Sequence, residues 1–112
     1  MAYEELRRED WSTFFDQISN RVSGNRVELE IAGLDIGDQT EERDAHLHGL
    51  SYDPNDDLFF VATDKLEHNI THPRRVYADR DGVTVHEVMV VDESERKHFI
   101  KLKPPLELPA HQ

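Results

Sequence analysis

The apolar positions of this chain change period once, from helical to extended. Trp11, Phe14, Phe15, Ile18 and Val22 recur at spacings of three and four, opposite a polar face of Ser12, Thr13, Asp16, Gln17, Asn20 and Arg21. That stripe predicts an amphipathic helix from about Arg8 to Ser23, with Glu9 and Asp10 at its positive end and Gly24 as its stop. Large apolar side chains gain ~1.5–3 kcal/mol each on burial, so the stripe requires a cover. From Val27 onward the period is two: Val27, Leu29 and Ile31 alternate with Arg26, Glu28 and Glu30, the pattern of a half-buried strand.

Further extended segments follow between turn signals. Gly33 to Gln39 reads as an irregular turn, Glu41 to Tyr52 as a second strand, and Asp53-Pro54-Asn55-Asp56 as a turn in which proline presets its backbone angle. Leu58 to Thr63 is apolar enough to predict burial on both faces. Lys65 to Pro73 breaks the alternation and reads as a short helical turn or a loop. Arg75 to Ala78 resumes the strand pattern, Asp79-Arg80-Asp81-Gly82 signals a hairpin, and Val83 to Val91 continues. One register of that last segment sets Val83, Val85, Glu87, Met89 and Val91 on one face, which Glu87 interrupts, and the other, Thr84, His86, Val88 and Val90, is nearly as apolar at its far end, so the pattern leaves the buried face open. Lys97 to Lys103 sets His98, Ile100 and Leu102 on one face. Pro104-Pro105 then predicts the strand's end, with residues 104–112 as a tail that either docks through Leu106 and Leu108 or stays disordered.

One helix followed by five to six strands on short connections predicts an α+β, mainly β, fold. The N-terminal amphipathic helix (about residues 8–23) packs on a curved antiparallel sheet or small open barrel (about 26–103). That element order is shared with Sm-like and SH3-like layouts, an analogy that carries no function. At 112 residues the chain is long enough for one core and too short for two, so residues 1–112 are expected to form a single domain.

Charge narrows the partners. The 24 acidic and 13 basic side chains leave a net charge of −11. Ten of the carboxylates fall between Asn25 and Asp57, where only Arg26 and Arg43 oppose them. Such a surface repels phosphate backbones, so no nucleic-acid partner is expected. The absence of cysteine removes disulfides, thiol nucleophiles and thiolate metal ligands together and fits a reducing, cytoplasmic setting. No apolar run approaches the ~20 residues of a membrane span, so no membrane is expected either.

Asp10-Trp11, Phe14-Phe15-Asp16, Glu67-His68-Asn69-Ile70, Pro73-Arg74-Arg75-Val76-Tyr77, Val90-Val91-Asp92, Ile100-Lys101-Leu102 and Pro105-Leu106-Glu107-Leu108-Pro109 occur in this order along almost the whole chain. In that arrangement the sequence resembles an uncharacterised family of small bacterial proteins, the domain of unknown function number 5335. The resemblance implies a stand-alone bacterial domain and lends no catalytic residue.

Candidate chemistry is sparse. Seven histidines stand out, and His46-x-His48 would set both imidazoles on one strand face, a start for a metal site that still needs ligands from a distant segment. Asp53 to Asp57 lacks the twelve-residue loop of a calcium site and reads as an acidic turn. No serine sits in a nucleophile elbow, and the five glycines are scattered rather than gathered into a phosphate loop. The segment from His68 to Tyr77 is the distinctive one: His68, His72, Arg74, Arg75 and Tyr77 form the one local cluster in an acidic chain suited to an anion or an acidic protein surface. We therefore expect no enzyme and no cofactor, but a non-enzymatic binding or assembly module whose partner is another protein or a second copy. The alternative is a metal- or small-molecule-binding protein that uses its surface histidines.

Overall fold

The computed structural model describes residues 3–22 and 24–108. The strands are β1 (Tyr3–Leu6), β2 (Arg26–Gly33), β3 (Gly37–Asp53), β4 (Leu58–Thr63), β5 (Glu67–Thr71), β6 (Pro73–Asp81), β7 (Thr84–Asp92) and β8 (Lys97–Glu107). One helix, α1 (Trp11–Arg21), enters through a 3-10 turn at Arg8–Asp10. All strands join one antiparallel eight-stranded sheet in the order β1-β6-β7-β8-β2-β3-β4-β5, open at β1 and β5. Two expectations are thereby corrected: among the described residues there are eight strands rather than five or six, and the helix is not the first element. The helix-first, Sm-like order is accordingly not the order found.

Both additional strands are short and polar, which is why alternation did not mark them. β1 pairs with β6 through Tyr3↔Asp79 to Leu6↔Val76. β5 lies in the segment expected to be a short helical turn or a loop, and pairs with β4 from Leu58↔Thr71 to Ala62↔Glu67. Only Ile70 of β5 is fully buried. A strand with one core side chain is made by its neighbour's unpaired ladder more than by its own pattern.

The hydrophobic stripe behaves as expected. Trp11, Phe14, Phe15 and Ile18 are buried and Val22 is partly covered, although the helix stops at Arg21, with Val22 already extended, before Gly24 is reached. Phe15 stacks on Phe59 of β4 with ring centroids 4.4 Å apart. The helix is also pinned to β3 by a polar contact, since Ser19 Oγ donates to the Leu50 carbonyl at 2.5 Å and accepts from the Leu50 N–H at 2.9 Å. Gly49 makes room for this approach: a Cβ there would lie 3.1 Å from Ser19 Oγ.

β3 is the bend of the sheet. Its first part pairs with β2, from Gly33↔Gly37 to Arg26↔His46, and its last part with β4, from Leu47↔Thr63 to Asp53↔Leu58. The β2–β3 hairpin closes on Gly37 at φ 68°, a left-handed conformation that glycine adopts without strain.

Three more expectations change. β4 is not buried on both faces: Phe59 and Val61 are buried, while Leu58, Phe60 and Ala62 are only partly covered. The undecided face of β7 has a physical resolution, because a register shift between Val85 and Glu87 switches the inward side, burying Val85 before it and Val88 and Val90 after it. Pro104 and Pro105 do not end β8. The strand leaves β2 at Lys103 and rejoins β7 through Val85↔Leu106 and Thr84↔Glu107, so the prolines occupy the stretch where no β7 ladder bond is required. Leu106 and Leu108 are buried, so the tail is docked to that point; the rest of it lies outside the described residues.

Candidate binding site at the corner between β5 and β6

β5 and β6 are consecutive in the chain, separated by His72 alone, yet they do not pair. The chain turns this corner with His72 in the left-handed region at φ 53°, beside Asp57, itself at φ 50°. Each such conformation costs a non-glycine residue ~1–2 kcal/mol. The two strained residues hold each other: the His72 N–H donates to the Asp57 carbonyl at 2.9 Å, and His72 Nδ1 lies 3.2 Å from Asp57 Oδ2. Asp57 Oδ1 accepts from the Tyr52 hydroxyl at 2.6 Å and from Arg8 Nη1 at 3.3 Å. Arg8 reaches on to the Pro73 carbonyl at 3.0 Å and lies over the Trp11 ring at 4.3 Å. The Tyr52 hydrogen bond, then those of His72 and Arg8, outweigh burial and hold the Asp57 carboxyl below its ordinary range. The corner is thus a knot of Arg8, Tyr52, Asp57 and His72 that ties the start of the chain to three later segments.

On the inner side of the same corner runs a second, largely buried chain of side chains. Asp92, at the end of β7, accepts the backbone N–H groups of Ser94 at 2.8 Å and Arg96 at 3.0 Å on Oδ1, while its Oδ2 lies 2.9 Å from His98 Nε2. His98 Nδ1 in turn lies 3.0 Å from His68 Nε2 on β5. The His98 side chain is only 8% exposed and that of Asp92 14%. Burial works against the Asp92 charge, but the His98 hydrogen bond and the two backbone donors overcome it and keep the carboxyl below its usual range. Burial, and then the neighbouring His98, lower the pKa of His68, while Glu41 of β3 opposes them.

Of the residues read from the sequence, His68 and His72 are therefore brought to one corner, each into a different network. Arg74 and Arg75 both reach Glu95 of the β7–β8 turn, at 3.5 Å and 3.1 Å. Tyr77 is partly buried in mid-β6, opposite Glu5 and Met89, where its side chain meets that of Arg75. His46 and His48 are exposed on β3. His46 is held by Asp64, its N–H at 2.8 Å and its ring Nδ1 at 3.1 Å from the carboxylate, an arrangement that also orients metal-binding imidazoles. Among the described residues, no group of three or more His, Asp or Glu side chains is placed to hold a metal ion. Beyond the corner, a shallow groove of about 420 Å³ lies at the β2–β3 tip, lined by Ala32, Gly33, Leu34, Asp38, Glu95 and Lys97.

Arg8, Tyr52, Asp57, Asp92 and His98 escaped the sequence reading. Asp57 and Asp92 sit in turn segments and read as turn formers. His98 carried the one usable signal, a histidine in step with Ile100 and Leu102 on an inward face.

No helix among the described residues is long and apolar enough to cross a membrane. No solved structure matches the chain. An uncharacterised protein of Aquifex aeolicus (strain VF5) is 34% identical over 110 residues, covering 97% of this chain and 99% of that relative. The model of the Family of unknown function (DUF5335) matches residues 2–111, and with this full-length agreement the chain belongs to that family.

Proposed function

We propose that the protein is a non-enzymatic assembly module that pairs the free edge of β5 with the same edge of a second copy. The observation that carries this reading is the open sheet: among the described residues, β5 has one strand partner, β4, and its outer edge has none. Unpaired strand edges recruit other strands unless charge or covering blocks them. Charge separates the two edges of this sheet. An antiparallel two-fold pairing of β1 with itself sets Glu4 against Glu5, a like-charge contact. The same operation on β5 sets Asn69 against Asn69, His68 against Ile70 and Glu67 against Thr71, so its carboxylate meets a hydroxyl. Glu67, Asn69 and Thr71 are all exposed.

Light scattering on a size-exclusion column, over a concentration series, tests this. A concentration-dependent dimer is expected, and a monomer at the highest concentration overturns the proposal. Thr71 gives a test with a sign. Thr71→Glu places a carboxylate opposite Glu67 of the second copy and weakens association, whereas Thr71→Lys strengthens it, each by roughly three- to tenfold for two symmetric cross-strand pairs. Identical behaviour of both variants refutes the register.

A further inference from the structure

We infer that the Asp92–His98–His68 chain is a proton-operated latch that docks β5 onto β8 and releases it when both imidazoles are charged. Release of β5 would also disrupt the edge that pairs copies, a consequence that rests on the β5-edge reading above; the latch itself does not.

Asp92 is acceptor-only, so His98 must carry a hydrogen on Nε2 to meet it at 2.9 Å. In a neutral His98 that leaves Nδ1 as a lone pair, and the 3.0 Å contact then requires the hydrogen on His68 Nε2. The neutral chain is therefore fully directed, from His68 to His98 to Asp92. One added proton preserves it, because a single hydrogen still lies on the line between the two rings whichever ring bears the charge. A second proton puts hydrogens on both facing nitrogens, and the contact becomes a repulsion between two cations inside the sheet. The charged groups that face this pair are Asp92 from β7 and Glu41 from β3, with Arg96 of the β7–β8 turn beside Asp92. Asp92 and Glu41 favour charge, whereas burial and the partner imidazole resist the second one.

β5 has little else to hold it on this side. It pairs only with β4 among the described strands, and Ile70 is its one fully buried side chain. His68 is thus half of what fixes the inner face of β5. The direction with pH follows from linkage. The pKa of docked His68 lies below the ordinary 6.5, so the released strand binds protons more tightly than the docked one. Docking is complete above about pH 6.5 and weakens as pH falls from there through the lowered value.

Hydrogen exchange read by mass spectrometry over residues 64–72 tests the latch, in protein dilute enough to be monomeric by scattering. After correction for intrinsic exchange, β5 amides are expected to open roughly tenfold more at pH 5 than at pH 7.5, while the β7 amides stay protected. His68→Gln retains an N–H donor for His98 but cannot titrate, so its β5 exchange should not depend on pH across this range. Ring NMR supplies a second reading that does not depend on the variant: His98 Nε2 should carry a hydrogen bonded to Asp92, and His68 should titrate below 6.5. Unchanged β5 exchange in the wild type, the same pH response in His68→Gln, or ordinary titration of His68 overturns the latch. A wild-type protein that opens at low pH yet never dimerises overturns only the assembly reading.

Discussion

His72 and Asp57 are two ordinary polar residues held where glycine would be at ease, at φ 53° and 50°. Their positions are tolerated because each supplies the other with a hydrogen bond and because Tyr52 and Arg8 close the remaining valences of the carboxylate. Strain and contact can be separated at His72. His72→Ala loses the ring and keeps the strained backbone, whereas His72→Gly loses the same ring and relieves it. The glycine variant should therefore be the more stable of the two by about 1 kcal/mol in urea denaturation. Equal stabilities would mean that the conformation carries no cost at this corner. None of this was legible from residue types, since nothing in Asp56-Asp57 or Thr71-His72-Pro73 marks a left-handed backbone. His68 and His72 were legible as candidates because they are concentrated in a short basic stretch. Their partners were not, because Asp57, Asp92 and His98 are brought to them from other strands.

At the scale of elements, the helix was the most legible part of the chain. Five large side chains at helical spacing have one arrangement that buries them together, and four of them are fully buried. What the periodicity could not show is how the helix is keyed to β3. Ser19 flanks the apolar stripe, half-buried, and its hydroxyl satisfies both backbone groups of Leu50. Ser19→Ala should cost about 1–3 kcal/mol, because it leaves a partly buried donor and acceptor without partners. Phe15→Ala, which empties the stack on Phe59, should cost more, about 3–5 kcal/mol, and chemical denaturation ranks the two. The strands divide in the same way. β2 and the first half of β8 follow from strict alternation, whereas β7 defeated it because a register shift changes which parity faces inward partway along. β1 and β5 have too few apolar positions to announce themselves and exist because β6 and β4 offer them ladders.

Over the whole molecule, the net charge of −11 is concentrated in the β2–β3 half, where Glu41, Glu42 and Asp44 lie along one strand. Screening should relieve that repulsion, so the melting temperature is expected to rise between 10 and 200 mM salt, by roughly a few degrees. A fall would mean that the surface ion pairs, among them Arg26–Asp44 and Arg96–Asp35, outweigh the excess. Acid should act in the opposite sense to salt. Asp57 and Asp92 have carboxyls held below 3.8, so the stability they contribute is present above that pH and is lost as pH falls through their lowered values. By itself the sequence determined a mainly β chain with one amphipathic helix, its principal turns and the inward face of β8, since all of these follow from local period and turn chemistry. Only the tertiary structure decided the eight-stranded order, the switch of face in β7, and the joining of His68 to His98 and His72 to Asp57. Those depend on which strands meet, and strand pairing is set by contacts between residues far apart in the chain, on which the local alternation of polar and apolar side chains is silent.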